Sequence, residues 1–405
     1  MYNRLRIAAT FPANYMGRFM ELNNIQKKSW FERNQKKTIA FITVVALISL
    51  MFGAEKVMGL INRHNQVNAE YFTRHITLRE RPPLLSSYLR PTKEDLDCSD
   101  TLKDKKYRYR IDKNGFVVPS EKYASPDKSL VFLGGSAVEC IFVEEENRFP
   151  YAAGCLLEKR SGLKINSYNG GHGGNNSMHS LFILLSKVIP LKPSIAVMMH
   201  NINDLVILLC EKTYYNNNPH KEIIITENYG VLRLARMFGK KMFPNLYQAG
   251  SQLVDIPRYL QVVEFGDEFA HIRGTKITAE REKIVSDFRK NLQLFIGICR
   301  THKIMPVLMT MQNRLKKVPD PVTLKEFRRL SSDLSYEEFK NLFDAMNDAI
   351  RSQARENGVM VIDLAREVPQ EKEFIYDMVH LNDTGCKRVA EIISNRLEPL
   401  MVNPD

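Results

Sequence analysis

From about residue 128 onward, short apolar runs alternate with longer stretches of helical character. Apolar runs of this length are typical of strands that are buried on both faces of a sheet. Their alternation with helices predicts an α/β fold, in which a parallel sheet is covered by helices on both sides. The predicted strands are 129–134, 163–168, 195–199, 304–309 and 359–364, and the predicted helices are 149–160, 176–189, 280–302, 335–357 and 384–400.

Residues 38–54 form a stretch of 17 residues without a charge. As a helix it would reach about 26 Å at ~1.5 Å per residue, which is enough to cross a bilayer core. A buried helix of a soluble protein and a cleaved signal peptide are the alternatives. The long leading segment, the lack of a polar face and the lack of a clear cleavage site favour a transmembrane anchor.

The charge before this stretch predicts its orientation. Eight Lys or Arg residues and two Glu residues precede residue 38, so the tail carries +6 of the formal net charge of +12. Positive flanking charge is retained in the cytoplasm. We therefore expect a single-pass protein of the inner (cytoplasmic) membrane, with everything after the anchor on the periplasmic or extracytoplasmic side.

Four regions follow from these signals. We predict a basic cytoplasmic tail at 1–37, the anchor at 38–54, a stalk and lead-in hairpin at 55–127, and the α/β domain at 128–405. Within 107–118, Asn114-Gly115 predicts the hairpin turn. A stretch at about 205–279 is too long for an ordinary crossover, and it is either a helical insertion that packs on the domain or a lid over the substrate.

The composition excludes some classes of protein. Outside the tail there is no basic patch interleaved with aromatic residues, so we predict no nucleic-acid partner. The six cysteines are scattered and form no CxxC pair, which argues against a disulfide framework but does not settle the redox compartment.

Two glycine-containing segments follow the first two predicted strands. Gly134-Gly135-Ser136 permits a tight turn that leaves the Ser136 hydroxyl at the sheet edge, although a serine that caps a helix is a common alternative. The segment 169–175 holds four glycines, which let backbone N–H groups approach a ligand oxygen. A phosphate cradle is the rival interpretation, but the usual phosphate-loop spacings are missing.

Two further polar segments complete the set. In Asn201-Ile202-Asn203-Asp204, a side-chain amide could donate to an oxyanion, although a plain polar turn is the alternative. Near the C-terminus, Asp377 and His380 are three residues apart, which suits a base held in one tautomer by a carboxylate. A surface histidine is the alternative for this segment taken alone.

Taken together and in this order, the four segments resemble the SGNH hydrolase superfamily, also called GDSL-type esterases. The resemblance covers about 128–205 and 285–400. It implies a three-layer flavodoxin-like sandwich with a sheet of about five strands. It also implies Ser136 as nucleophile, Ser136, Gly174 and Asn203 as oxyanion-hole donors, His380 as base and Asp377 as its partner.

The sequence departs from the family pattern at two positions. Gly135 stands where the family usually has Asp, and Asn201 stands where it usually has Gly. Neither position performs chemistry, but Gly135 removes a carboxylate that could order the turn, so loss of activity is an open alternative.

The implied activity is hydrolysis of an acyl ester, either a carbohydrate O-acetyl group or a lipid, in the cell envelope through an acyl-serine intermediate. The alternatives are an O-acyltransferase domain that modifies an envelope polysaccharide, a non-catalytic binding module on the same fold, and an interaction protein of the membrane surface. We predict no cofactor and no metal, because His172, His179 and His200 lack a tight ligand spacing.

Overall fold

The computed structural model describes residues 29–65, 79–215, 242, 243, 245, 277–329 and 333–402. The chain divides into two compact units, one formed by 1–69 with 229–256 and the other by 70–228 with 257–405. Most of the predicted tail, part of the predicted stalk and most of the predicted insertion at 205–279 lie outside the described residues.

The first unit contains the predicted membrane anchor. A short helix α1, Trp30–Arg33, precedes the long helix α2, Gln35–Asn65. The part Gln35–Val57 is long and apolar enough to cross a membrane, and none of its most apolar window is buried. In the same unit the backbone N–H of Asn245 donates to Glu55 Oε1 at 3.0 Å. A described part of the predicted insertion thus contacts this helix.

The second unit contains the other described elements. Its strands are β1 Ser86–Leu89, β2 Tyr107–Arg110, β3 Lys128–Gly134, β4 Ile165–Gly171, β5 Ile195–Met199, β6 Met305–Met309 and β7 Met360–Ile362. Its helices are α3 Lys93–Asp97, α4 Ser136–Glu139, α5 Phe149–Ser161, α6 Ser177–Ile183, α7 Ile189–Leu191, α8 Ile202–Cys210, α9 Arg281–Thr301, α10 Pro321–Arg328, α11 Tyr336–Asn357, α12 Leu364–Glu367 and α13 Asp383–Val402. A π turn, Leu184–Val188, joins α6 to α7.

Strands β3 to β7 form one parallel sheet in the spatial order β4-β3-β5-β6-β7. Numbered along the chain, this is the order 2-1-3-4-5 of flavodoxin-like folds. Helices α5 and α13 pack against each other on one side, and α9 packs against α6 and α11 on the other. The predicted three-layer α/β sandwich with a parallel sheet of about five strands is confirmed.

Local signals account for where the long helices begin and end. The Ser335 side chain accepts a hydrogen bond from Glu338 N, and the Glu338 side chain returns one to the N-cap backbone, which starts α11. The helix stops at Gly358, whose left-handed backbone closes its C-terminus. Asn176 caps α6 in the same reciprocal way with His179.

Two boundaries near the strand ends differ from the sequence prediction. β4 continues to Gly171, so the first three residues of the predicted glycine loop pair with Phe132, Leu133 and Gly134 of β3. Asn203 lies in the first turn of α8 and not in a polar turn, because the buried apolar residues 205–209 extend the helix.

The predicted hairpin at 107–118 is only partly present. Residues 113–114 form the expected turn, but β2 pairs with β1 over four residues, and Ile111 with Val117 is the one bridge across that turn. Val117 also bridges Asn169 at the edge of the main sheet. The Val118 N–H donates to Arg110 O at 3.0 Å and the Asp112 N–H donates to Phe116 O at 2.8 Å, so the two halves pair next to the turn. The longer pairing of β2 with β1 was not predicted.

Asn201, the second departure from the family pattern, has a structural role beneath the site. Its buried side-chain amide donates to Phe343 O and to Asn347 Oδ1, both at 3.0 Å. Asn347 in turn exchanges hydrogen bonds with the backbone of Met311, just after β6. Asn201 therefore links the end of β5 to helix α11 and to the end of β6.

Candidate active site

The turn after β3 presents Ser136 at the carboxyl end of the sheet. Gly135 is the N-cap of helix α4, and Ser136 is its first residue. Ser136 is half-buried, whereas Gly134, Gly135, Ala137 and Val138 are buried. Its hydroxyl is thus the accessible group on a turn that is otherwise packed.

The segment before α13 brings Asp377 and His380 to this serine. His380 Nε2 lies 2.7 Å from Ser136 Oγ, across 244 residues of sequence. His380 Nδ1 donates to Asp377 Oδ2 at 2.6 Å. Asp377 Oδ1 also accepts the backbone N–H groups of Val379 and His380, so the carboxylate is oriented by its own loop.

The environment of His380 favours the imidazolium. Burial alone would lower the pKa of His380, but the charge of Asp377 and its hydrogen bond outweigh burial and raise it to about 9. The Tyr376 ring stacks on the imidazole with ring centroids 5.7 Å apart and an interplanar angle of 13°. The imidazole is therefore held from its edge by a carboxylate and on its face by an aromatic ring.

Gly174 and Asn203 lie in the segments that follow β4 and β5, the two strands that flank β3. Gly174 has φ +76°, a left-handed conformation that favours glycine. One amide hydrogen of Asn203 Nδ2 is donated to Asn175 O at 2.8 Å. Within the described part of the chain, the backbone N–H groups of Ser136 and Gly174 have no protein acceptor, and the second amide hydrogen of Asn203 has none.

Gly135 allows Asn203 to approach this turn closely. A Cβ at position 135 would lie 2.4 Å from Asn203 Nδ2 and 3.0 Å from Asn175 O. The side chain that the family usually carries here cannot be added without displacing the Asn203 amide. Gly135 is thus complementary to the observed position of Asn203.

Asp204 ties the two flanking segments together. The Ser177 N–H lies 3.1 Å from both carboxylate oxygens of Asp204, and the Tyr214 hydroxyl donates to Asp204 Oδ1 at 2.7 Å. Burial raises the pKa of Asp204 to about 6. This fully buried carboxylate holds the start of α6 against the first turn of α8, which carries Asn203.

The structure brings in four ionisable side chains that sequence reasoning missed. Arg314 donates to Ile375 O at 3.1 Å, and Glu326 Oε2 accepts the Met378 N–H at 2.7 Å, so both hold the loop that carries Asp377. Glu139, in helix α4, pairs with Arg81 at 3.2 Å. No local pattern marks these residues, apart from a charged Glu139 in an otherwise apolar helical turn.

The three histidines near the glycine loop and the end of β5, His172, His179 and His200, are buried and make structural contacts. Burial lowers the pKa of His172 to about 4 and that of His200 to about 3. His200 Nε2 lies 2.7 Å from Ser180 Oγ, and His179 belongs to the Asn176 cap. Among the residues that the structure describes, no three His, Cys, Asp or Glu side chains are grouped to hold a metal ion.

No protein-family model matches this chain, and no similar sequence is found among curated proteins. Several solved structures resemble it. An acetylxylan esterase from Geobacillus stearothermophilus is 14% identical, with a TM-score of 0.38 over 68% of this chain and 95% of that one. A lipase/acylhydrolase from Enterococcus faecalis is also 14% identical, with a TM-score of 0.38 over 67% of this chain and 96% of that one.

A third similar structure is LAE5, an alpha/beta hydrolase enzyme from the metagenome of Lake Arreo, Spain. It is 13% identical, with a TM-score of 0.38 over 69% of this chain and 98% of that one. At such identities the chemistry of the site has to be inferred from its own side chains.

The raised pKa of His380 predicts how stability depends on pH. The pKa of His380 in the folded state, about 9, lies above the ordinary histidine value of 6.5. The His380–Asp377 pair therefore stabilises the fold fully below pH ~6.5, and this contribution is lost as the pH rises toward about 9. In Asp377→Asn, the free energy of unfolding should no longer contain this pH-dependent contribution. Urea unfolding of both proteins between pH 6 and 9.5 measures this pH dependence, and Asp348→Asn, which changes an exposed carboxylate, is the control. Parallel pH curves for the wild type and Asp377→Asn would contradict the assignment.

Proposed function

We propose that this chain is a membrane-anchored serine ester hydrolase of the SGNH type, acting on an acyl ester through an acyl-serine intermediate. The observation that supports this most strongly is the chain of contacts from Ser136 Oγ to His380 Nε2 at 2.7 Å and from His380 Nδ1 to Asp377 at 2.6 Å. A serine hydroxyl is a weak nucleophile unless a positioned base removes its proton. Such a chain of contacts supplies that base and the group that orients it.

The reaction follows from the positions of these atoms. The neutral form of His380, which predominates above its pKa of about 9, accepts the Ser136 proton as Oγ attacks the acyl carbon, and the imidazolium then protonates the leaving alcohol oxygen. In the second half of the cycle, water attacks the acyl carbon as it gives a proton to His380, the bond to Ser136 Oγ breaks, and the imidazolium returns the proton to Ser136 Oγ. Asp377 stabilises the imidazolium that forms in each half and keeps the Nδ1–H tautomer.

Three N–H donors are available for the negative charge on the acyl oxygen. The backbone N–H groups of Ser136 and Gly174 and the second amide hydrogen of Asn203 belong to adjacent segments at the carboxyl end of the sheet. Such preorganised donors act where charge develops, and the loss of one typically costs about 10²–10³ in kcat. We therefore infer that they form the oxyanion hole.

The location of the domain is part of the same proposal. The apolar helix at Gln35–Val57 and the positive charge before it support a single-pass anchor whose catalytic domain lies outside the cytoplasm. We therefore propose that the substrate is an acyl ester of the cell envelope, such as an O-acetylated carbohydrate or a lipid.

The anchor predicts a specific fractionation behaviour. The full chain should remain in the membrane pellet after extraction at high pH and high salt. In cells whose outer layer is permeabilised but whose cytoplasmic membrane is sealed, added protease should cleave the α/β domain. It should leave an N-terminal tag intact. A protected domain would reverse the proposed orientation, and release of the chain by salt would argue against the anchor.

Ser136 predicts a covalent signature. The full chain in detergent should hydrolyse p-nitrophenyl acetate and become labelled by a fluorophosphonate, and Ser136→Ala should abolish both. Asn203→Ala should retain the label but lower kcat by about a hundredfold, because it removes one oxyanion donor. Ser129→Ala, in strand β3 away from its carboxyl end, is the matched control. Equal labelling of Ser136→Ala and wild type would exclude Ser136 as the nucleophile.

We predict that Gly135→Asp, which introduces the residue usual in the family, lowers kcat. In Gly135→Asp the new Cβ has to displace Asn203 Nδ2, which it would otherwise meet at 2.4 Å. Because that atom ends a side chain, we expect a small change in melting temperature but a fall in kcat similar to that of Asn203→Ala. The double variant with Asn203→Ala should be hardly slower than either single variant. Wild-type kcat in Gly135→Asp would contradict the role of Asn203.

A further inference from the structure

Helix α4 carries a fully buried carboxylate that the proposed reaction does not use directly. Glu139 Oε1 accepts hydrogen bonds from the Tyr109 hydroxyl at 2.5 Å and from Arg81 Nε at 3.2 Å. Burial alone would raise the pKa of Glu139, but the charge of Arg81 and the hydrogen bonds from Tyr109 and the Gly173 N–H together outweigh burial, so the pKa is lowered and the group is ionised. Buried ion pairs contribute little net stability compared with apolar packing, so the location of this one calls for another reason.

The second oxygen of this carboxylate binds the glycine loop. Glu139 Oε2 accepts the backbone N–H of Gly173 at 2.6 Å. The pair is therefore connected to the His172–Gly173 peptide, which is the one before the peptide that carries the Gly174 N–H. Arg81 and Tyr109 lie before the main sheet, so the region ahead of the α/β core contributes directly to this contact.

The next peptide group is held from its carbonyl side. His172 Nδ1 lies 2.8 Å from Gly173 O, and because a carbonyl can only accept, Nδ1 carries the proton. Burial lowers the pKa of His172 to about 4, so the ring is neutral at pH 7 and keeps this tautomer. Arg79 Nη1 donates to Gly174 O at 3.1 Å, which holds the following peptide as well.

These contacts determine where the Gly174 N–H points. In a trans peptide the C=O of one residue and the N–H of the next point in opposite directions. With Gly173 O directed at His172, the Gly174 N–H is directed away from His172. In the described part of the chain this N–H has no protein acceptor, and Gly174 is half-buried next to buried neighbours.

We propose that Glu139, fixed by Arg81, and His172 are positioning residues. Glu139 holds the His172–Gly173 peptide and His172 holds the Gly173–Gly174 peptide, so that the Gly174 N–H is aimed at the developing oxyanion. This inference rests on the proposed function for its catalytic consequence. Its structural part, the fixing of the loop by these two side chains, can be measured without turnover.

Two double variants isolate the contact to Gly173. Arg81→Met/Glu139→Gln and Arg81→Met/Glu139→Leu both remove the charge pair, so neither leaves an unpaired buried charge. They have similar side-chain volumes at position 139, but only Gln keeps an oxygen that can accept the Gly173 N–H. Both are made in the full chain in detergent, and kcat and KM are measured with p-nitrophenyl acetate over pH.

We expect kcat of the Leu variant to be about tenfold to a hundredfold below that of the Gln variant, because an oxyanion donor is misaligned and not removed. KM and the pH midpoint of the acidic limb should be the same in both, because substrate binding and the His380–Asp377 pair are not touched. Equal kcat in the two variants, or a difference expressed in KM or in the pH midpoint, would overturn the proposal.

Hydrogen–deuterium exchange provides the readout that is independent of activity. Peptides covering 170–176 should exchange at least tenfold faster in the Leu variant than in the Gln variant, while peptides covering 375–382 should not change. If the wild type is neither active nor labelled at Ser136, the proposed function fails, and this measurement alone decides the structural part. Unchanged exchange at 170–176 would then overturn that part.

Arg110→Met/Glu145→Leu is the matched control. It removes a half-buried Arg–Glu pair, at 2.6 Å, and within the described residues neither side chain hydrogen-bonds to residues 172–175. It should lower the melting temperature without changing kcat.

His172→Phe provides a second route if the Leu variant fails to fold. It keeps an aromatic ring of similar size but removes the donor to Gly173 O, so kcat should fall by about tenfold or more at constant KM. Wild-type kcat in His172→Phe, with unchanged exchange at 170–176, would overturn the role of this residue.

Discussion

The order of the five parallel strands is the constraint on which the site depends. Because β3 lies between β4 and β5, the segments that leave these three strands meet at one edge of the sheet. Reversal of the strand order at this point opens a crevice at the carboxyl ends of the strands. Ser136, Gly174 and Asn203 each follow one of these strands, and His380 reaches the same crevice from the loop before α13. Each is half-buried among buried neighbours, so solvent reaches the groups that the proposed reaction uses.

Two separate networks of ionisable side chains hold the loops that form this crevice. On one side, Asp377 raises the pKa of His380, while Glu326 and Arg314 hold the loop that carries Asp377. On the other side, Glu139 with Arg81 binds the glycine loop. The first network acts on His380, the base of the proposed reaction. The second network holds the backbone N–H donors of the glycine loop in place. In a low-dielectric environment such fixed charges act strongly on their neighbours, and they need no reorganisation during a reaction.

The two departures from the family pattern are explained by their neighbours. Gly135 leaves the space that the Asn203 amide occupies, and a side chain there would remove a donor. The Asn201 side chain joins the end of β5 to α11 through Phe343 and Asn347. Neither departure removes an atom that the proposed mechanism requires. They therefore do not favour the interpretation of this chain as a fold that has lost its chemistry.

The sequence by itself determined the α/β class, the approximate positions of the strands and long helices, and the apolar helix near the N-terminus. These depend on local periodicity and on the length of apolar runs, which a single sequence records directly. Resemblance to a known family also pointed to Ser136, Gly174, Asn203, Asp377 and His380 as candidates. Only the tertiary structure decided that Ser136 and His380, 244 residues apart, lie within hydrogen-bond distance.

The tertiary structure also decided the pairing of β1 with β2 and the burial of Arg81 against Glu139, which lies 58 residues away. Such contacts leave no periodic signal, because each depends on the path of the chain between the two residues. The partner of a buried charge is set by which elements the fold brings side by side.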